Sequence, residues 1–133
     1  MPNIDEEDER LLGRPLTRNI IRCAIRVHRE LGPGLLENVY RTFLAQELRE
    51  SGLSARSEAT ISATYKGSTV ECGYRADLIV EEKVLLELKA IERLLPLHDA
   101  QILTYLKLTG LRVGLLLNYN VTKLVDGMRR FAV

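Results

Sequence analysis

The chain has 133 residues, of which 46% are hydrophobic and 28% are charged, a composition typical of one soluble globular domain. Its 19 lysine and arginine residues stand against 18 acidic ones, and the formal net charge of +1 neither requires nor excludes a polyanionic partner. No apolar run approaches the roughly 18 residues of a membrane span. The two cysteines, Cys23 and Cys72, lack the spacing of zinc ligands, so we expect neither a zinc site nor a disulfide scaffold.

An acidic leader, MPNIDEEDER, precedes the first helical pattern and carries consecutive acidic residues from Asp5 to Glu9. It lacks the basic and apolar regions of a signal peptide, which favours a cytoplasmic location. We predict that residues 1–14 form a flexible leader and that residues 15–133 form a single domain. Without the leader, the remaining chain is moderately basic.

Two helices come first in the predicted domain. Apolar residues recur with a helical period over residues 17–31, and the sequence Gly32-Pro33-Gly34 ends this helix. A second stripe with the same period predicts a helix over about residues 35–51, which Gly52 ends.

The period then changes to that of strands, and the rest of the domain is predicted to alternate between the two types of element. The predicted elements are strands at 61–65, 69–80 and 84–90, a helix at 97–108, a strand at 111–119 and a short edge strand within LVDGMRRFAV. This order predicts an α/β domain in which helices pack on a mixed sheet.

The strand VLLELKA carries two charges in an otherwise apolar run. Alternation places Leu85, Glu87 and Lys89 on one face, and the opposite face is apolar. If residues 81–83 form a hairpin loop, counting outward places Asp77 directly across from Glu87. Two opposed carboxylates repel each other, and a divalent cation between them would offset this repulsion. Lys89 could then stabilise an attacking hydroxide or a phosphate charge.

The same charges could be present without any catalysis: Lys89 could neutralise the acids in a solvated patch, or the register could differ by one residue. A polar stripe on the last predicted helix has two interpretations as well. His98, Gln101 and Tyr105 could bind phosphate or orient water, or they could form a polar outer face. Glu37 suits the first turn of its helix with or without a catalytic role.

A basic stripe follows the first predicted helix opposite its apolar side. It comprises Arg18, Arg22, Arg26 and Arg29, which fall within about 80° of one another on the helical wheel. Such a stripe could contact a phosphate backbone, or it could be a solvated face.

The segment LGPGLLENVY contains the pattern Gly34-x-x-Glu37-x-x-Tyr40, and the chain resembles the GxxExxY family, a branch of the PD-(D/E)XK nuclease superfamily. The resemblance runs from about residue 16 to the C-terminus and includes VHRELGPG, ELK and HDAQILTYLKLTG in the same order. It implies a three-layer, restriction-endonuclease-like α/β fold with a mixed central sheet of four to five strands flanked by helices.

The resemblance also implies a set of site residues. Ala76 stands where the family name has proline, a position that varies widely within the superfamily. The implied metal ligands are Glu37, Asp77, Glu87 and the backbone carbonyl of Leu88, the implied catalytic lysine is Lys89, and Gln101 and Tyr105 match a Gln-x-x-x-Tyr element of exonuclease-like branches.

The leading functional hypothesis is therefore a phosphodiesterase that depends on Mg²⁺ or Mn²⁺ and acts on DNA, with RNA as the alternative substrate. His98, Gln101 and Tyr105 would steady the phosphate, while Arg18, Arg22 and His98 would contact nucleic acid. A second hypothesis is a binding or assembly module that keeps the nuclease fold without cleaving. Because so small a chain has little room for a specificity domain, a homodimer could complete its nucleic-acid groove. A third hypothesis is hydrolysis of a small phosphoester.

Overall fold

The computed structural model describes residues 14–133, which form three α-helices, one short 3₁₀ helix and five strands. In chain order the elements are α1 (Arg14–Leu31), α2 (Glu37–Glu50), β1 (Ala55–Tyr65), β2 (Ser68–Val80), β3 (Val84–Lys89), α3 (Pro96–Thr109), β4 (Val113–Asn118), the 3₁₀ helix (Leu124–Gly127) and β5 (Met128–Ala132). The predicted leader lies outside the described residues, except that residue 14 already begins α1. None of the described helices combines the length and the apolar character needed to cross a membrane.

The five strands form one mixed sheet in the order β1-β2-β3-β4-β5. Neighbouring strands are antiparallel except β3 and β4, which run parallel and are joined by the crossover helix α3. α1 and α2 pack on one face of the sheet, and α3 packs on the other. This three-layer α/β arrangement confirms the predicted fold class.

The larger core lies between the sheet and the pair of helices α1 and α2. Alternate residues of β3, namely Val84, Leu86 and Leu88, are completely buried in it. They belong to the same cluster as Ile20 and Ala24, which lie four residues apart on the apolar stripe of α1. The helical period read from the sequence is therefore satisfied by burial against the sheet.

A second core lies between the sheet and α3. Leu85 of β3 and Leu116 of β4 pack there with Ile102 and Leu106 of α3. β3 and β4 are consequently buried on both faces, as is typical of parallel strands covered by helices on both sides. The face of β3 that begins at Leu85 becomes polar only at its C-terminal end, from Glu87 onward.

The first strand is longer than the alternation pattern predicts. β1 begins at Ala55 rather than at residue 61, and most side chains of its first half are exposed. Its register with β2 shifts between Ile61 and Ser62, an irregularity of the β-bulge type. Around Glu58 the register is unshifted and places this residue opposite Asp77, but the two do not pair as their neighbours do, and Glu58 has a φ of 49° in the left-handed region. The backbone of β1 is therefore irregular across from Asp77.

The turn between α1 and α2 is closed by the hydroxyl group of Tyr40. This hydroxyl donates to the carbonyl oxygen of Gly32 at 2.6 Å and accepts from the amide of Leu35 at 3.1 Å. Gly34, between them, has a φ of 99°, which residues with a Cβ rarely adopt. The Tyr40 ring stacks on Tyr119 with centroids 4.4 Å apart. These contacts fix the turn that leads into the first residue of α2.

Candidate active site

The strands β2 and β3 stop pairing where the predicted acidic residues begin. Regular pairing ends at Leu78 and Leu86. Beyond that point the amide of Asp77 donates to Glu87 Oε1 at 3.1 Å, and the amide of Leu88 donates to Asp77 Oδ2 at 2.8 Å. Each carboxylate thus binds the backbone of the opposite strand in place of a ladder hydrogen bond.

The two carboxylates are nearly inaccessible to solvent, with Asp77 8% and Glu87 5% exposed. Burial, followed by the charge of Asp77, raises the pKa of Glu87 to about 8, while the Asp77 amide and Lys89 act in the opposite direction. The side chains face each other as the hairpin count predicts, and their repulsion is present in the structure.

Glu37, the first residue of α2, approaches the same pair from a different layer of the fold. Burial raises the pKa of Glu37, the charge of Asp77 raises it further, and Lys89 and Arg41 oppose the shift. The structure therefore brings three predicted site carboxylates, Glu37, Asp77 and Glu87, within electrostatic range of one another.

Lys89 ends β3 and is linked to α3 through a chain of side chains. Its Nζ donates to Gln101 Oε1 at 3.4 Å, and Gln101 Nε2 donates to the hydroxyl oxygen of Tyr105 at 3.0 Å. Burial, and next the charge of Glu87, raises the pKa of Tyr105, so its hydroxyl stays protonated near neutral pH. The Tyr105 ring also lies 5.8 Å from that of Tyr74. Of the predicted Gln-x-x-x-Tyr pair, Gln101 thus contacts the predicted lysine, and Tyr105 contacts Gln101.

Asn118, at the end of β4, was not among the predicted site residues. Its Oδ1 accepts from the amides of Ile91 at 3.1 Å and Asn120 at 3.2 Å, and its Nδ2 donates to the Ile91 carbonyl oxygen at 2.9 Å. The next amide, that of Tyr119, donates to the carbonyl oxygen of Lys89 at 2.8 Å. Asn118 and Tyr119 therefore hold the backbone around Lys89, and the one sequence signal was a polar residue ending an apolar strand.

Arg41 is a second site residue that sequence reasoning missed. Its Nη1 lies 3.2 Å from Asp77 Oδ1, and its Nη2 lies 3.3 Å from Glu58 Oε1. The signal that could have found it was its position four residues after Glu37, because side chains at that spacing are neighbours on a helix. A guanidinium group therefore lies inside the acidic cluster.

The predicted phosphate contact His98 lies in the same region as Lys89. Its Nδ1 accepts from the amide of Leu95 at 2.9 Å, which gives the ring a structural role at the start of α3. Its side chain nevertheless lines a groove together with Lys89, Gln101 and Tyr105. The polar stripe predicted on α3 therefore faces the end of β3, and not only solvent.

Arg18 and Arg22 lie at the other end of the helical layer. Arg22 lines a surface groove with Ser51, the residue that directly follows α2. Since α2 has 14 residues, the first residue of α2, Glu37, lies about 20 Å from Ser51. The structure does not bring the predicted arginine contacts together with the carboxylates, and a ligand touching both would have to span this distance.

The donor atoms at the site fit a hard divalent cation, which prefers carboxylate and carbonyl oxygens. Asp77 and Glu87 supply two facing carboxylates, and the Arg41 guanidinium stands at Asp77 Oδ1 where a cation is favoured. Within residues 14–133, however, no three His, Cys, Asp or Glu side chains are gathered as a ready metal cage. The amide of Leu88 donates to Asp77, so Leu88 lies beside the acidic pair. The role of its carbonyl oxygen as a metal ligand stays a prediction.

The protein has a mixed sheet between helical layers, and an acidic pair and a lysine lie where two of its strands separate. This is the arrangement of a restriction-endonuclease-like α/β protein. A sequence model of the PD-(D/E)XK nuclease superfamily matches residues 14–131, and the chain belongs to this superfamily.

No curated protein matches the chain. A crystal structure of a protein called SSO0001 is similar over 73% of this chain and 49% of its own, with 23% identity and a TM-score of 0.49. The chain therefore spans about half the length of that protein. The superfamily assignment rests on the sequence match and not on this likeness.

Proposed function

We propose that the protein is a phosphodiesterase dependent on Mg²⁺ or Mn²⁺ that cleaves nucleic acid, with DNA as the leading substrate and RNA as the alternative. The observation that carries this proposal is the buried pair Asp77 and Glu87, which exchange hydrogen bonds with each other's strands beside Lys89. Keeping two carboxylates buried and opposed is costly for a fold, and a site for a divalent cation explains why they are kept.

The residues that would hold the cation are Asp77, Glu87, Glu37 and the carbonyl of Leu88. When bound there, a divalent cation polarises a phosphoryl oxygen and lowers the pKa of a bound water. Carboxylates must be deprotonated to act as ligands, so the raised pKa values of Glu87 and Glu37 make binding favourable toward higher pH.

Lys89 is the residue we assign to the charge that develops on the phosphate or on the attacking oxygen. Gln101 accepts a hydrogen bond from its ammonium group, and Tyr105 in turn holds Gln101, so the long lysine side chain is kept in one orientation. Gln101, Tyr105 and His98 line one groove and would orient the phosphate within it. Arg18 and Arg22 would contact the nucleic-acid backbone farther along.

We also assign the chain to the GxxExxY branch. Glu37 in the middle of this pattern faces the acidic pair, and Tyr40 at its end closes the preceding turn by hydrogen bonds to Gly32 and Leu35. The pattern thus combines one residue with an electrostatic role and one with a structural role, which supports treating it as a unit.

The test compares cleavage of labelled single- and double-stranded DNA and RNA with Mn²⁺ and with a chelator. Asp77→Asn and Lys89→Met should each lower the cleavage rate about 100-fold or more, because each removes a group that acts on the reacting phosphate. Lys83→Met, in the exposed loop before β3, is the matched control and should cleave normally. Undiminished cleavage by both site variants would exclude the proposed mechanism.

The Arg41 ion pair favours one alternative, a module that binds nucleic acid without cleaving it, because a guanidinium already neutralises Asp77. In that case calorimetry would show salt-sensitive DNA binding and no affinity for Mg²⁺ or Mn²⁺. Either function is compatible with a homodimer that completes the nucleic-acid groove, and light scattering of the purified chain would measure its mass.

A further inference from the structure

Arg41 lies between two carboxylates that belong to different strands. It contacts Asp77 of β2 at 3.2 Å and Glu58 of β1 at 3.3 Å, and its side chain is 21% exposed. The register of β1 with β2 is unshifted around these residues and places Glu58 opposite Asp77, so Arg41 of α2 reaches both acids. A guanidinium group has a fixed positive charge and a planar set of donors, so one Arg41 can hold both acids at once.

The Arg41 contact uses one particular oxygen of Asp77. Oδ2 accepts from the amide of Leu88 at 2.8 Å and is committed to the connection between β2 and β3. Oδ1 is the oxygen that Arg41 touches. A divalent cation that used Asp77 as a ligand would need Oδ1, and its charge would repel the guanidinium strongly at such short range.

We propose that Arg41 competes with the divalent cation for Asp77 Oδ1. This inference rests on the proposed function and concerns the regulation of the same site. Without metal, Arg41 neutralises the acidic cluster; with metal bound, Arg41 leaves Asp77 and stays paired with Glu58. Glu58 thereby retains Arg41 beside the site, and Arg41 sets a lower metal affinity than the carboxylates alone would give.

The proposal is tested by calorimetric titration of Mn²⁺ into the purified chain, without substrate. Arg41→Met removes the charge and keeps the length of the side chain, so Mn²⁺ should bind about tenfold more tightly than to the wild type, as expected on removing one charge-assisted hydrogen bond. Arg41→Lys keeps the positive charge that competes with the metal, so its Mn²⁺ affinity should stay within about threefold of the wild type. The remaining difference arises because an ammonium group lacks the planar set of donors of a guanidinium. Lys107→Met, on the exposed side of α3, makes the same change in net charge and should leave the affinity unaltered.

Glu58→Gln gives a second, independent measurement. Without Glu58, Arg41 has less reason to leave Asp77, so Mn²⁺ should bind more weakly than to the wild type. In a chain that already carries Arg41→Met, the Glu58→Gln change should have no such effect, and this double-mutant cycle isolates the coupling. Thermal unfolding of each variant without metal checks that all of them are folded. If Arg41→Met does not fold, the comparison of Glu58→Gln with the wild type still tests the proposal.

The outcomes separate this inference from the proposed function. One outcome would overturn the competition and leave the metal site intact. In it, Mn²⁺ binds the wild type but not Asp77→Asn, its affinity for Arg41→Met is unchanged or weaker, and Glu58→Gln has no effect. Absence of Mn²⁺ binding in the wild type, in Arg41→Met and in Arg41→Lys would overturn both. Binding by Arg41→Met where the wild type shows none would support the competition in its strongest form.

Discussion

Glu87 combines deep burial, a neighbouring carboxylate and a hydrogen bond from the backbone. Burial and the charge of Asp77 favour its neutral form, and the resulting pKa of about 8 lies far above the usual range of a glutamate. Such a carboxyl group favours its neutral form in the metal-free protein and must lose its proton before it can bind a cation.

Glu87→Gln should therefore change how the stability depends on pH. The folded chain holds the Glu87 proton more tightly than the unfolded chain, so this group costs nothing below about pH 4.5 and destabilises the fold progressively as the pH rises toward 8. Glutamine is neutral throughout. We expect the variant to gain roughly 2 to 4 kcal/mol over the wild type between pH 5 and pH 8, in urea unfolding with a chelator present.

Glu82→Gln is the control for that series. Its partner Arg56 of β1 lowers the pKa of Glu82, and both side chains are exposed, so this variant should gain no stability with rising pH. Parallel stability curves for the wild type and Glu87→Gln from pH 5 to pH 8 would show that Glu87 titrates normally.

At the scale of elements, the ends of β3 and β4 hold the lysine in place. Asn118 at the end of β4 supplies both an acceptor and a donor to the backbone after β3. A loop that follows a strand without such partners would leave buried polar groups unpaired. The position of Lys89 therefore depends on a residue in another strand.

Asn118→Ala should destabilise the fold by about 2 to 4 kcal/mol, because the amide and the carbonyl of Ile91 lose their partner. It should also lower kcat for cleavage more than it changes KM, since Lys89 is less well placed while the binding groove is kept. Asn118→Asp retains the acceptor but not the donor, so its stability and its kcat should lie between those of the wild type and of Asn118→Ala. Asn120→Ala, an exposed neighbour, should behave as the wild type in both measurements, and equal losses in the two alanine variants would contradict the assignment.

Most helices and strands could be predicted from the periodicity of apolar residues. The parts that could not be predicted lack either this periodicity or a partner nearby in the sequence. The strands β3 and β4 were evident because both faces are apolar, whereas the first half of β1 is exposed and has no alternation to detect. Asp77 and Glu87 could be paired from the sequence because a hairpin is local and its register can be counted. The contacts of Arg41 and Asn118 could not be read from the sequence, since their partners come from elements distant in the sequence; the spacing of Arg41 from Glu37 indicated only a shared face of α2.

At the scale of the whole molecule, the acidic site lies apart from Arg18 and Arg22, the two arginines of α1 that we predict to contact nucleic acid. Arg22 lies beside the end of α2, about 20 Å from Glu37 at its start. This distance corresponds to about six base pairs of duplex. A long nucleic acid could touch both regions, whereas a very short one could touch only the acidic site and its groove.

The double variant Arg18→Ala and Arg22→Ala should therefore distinguish substrates by length. On a duplex of about 20 base pairs we expect weaker binding and a salt dependence of log Kd reduced by about two, one for each lost phosphate contact. On a four-nucleotide substrate, cleavage should be unchanged. Binding measured by fluorescence anisotropy at several salt concentrations tests this, and equal losses on both substrates would place the arginines at the catalytic site instead.

The separation of β2 and β3 also affects how inactive variants should be designed. Because Asp77 and Glu87 each take the place of a hydrogen bond between strands, alanine at either position removes a proposed metal ligand and loosens the sheet in one step. A loss of activity in such a variant has two causes that cannot be told apart. Amide substitutions preserve the acceptor that each strand needs while removing the charge, so they are the informative choice for any experiment on this site.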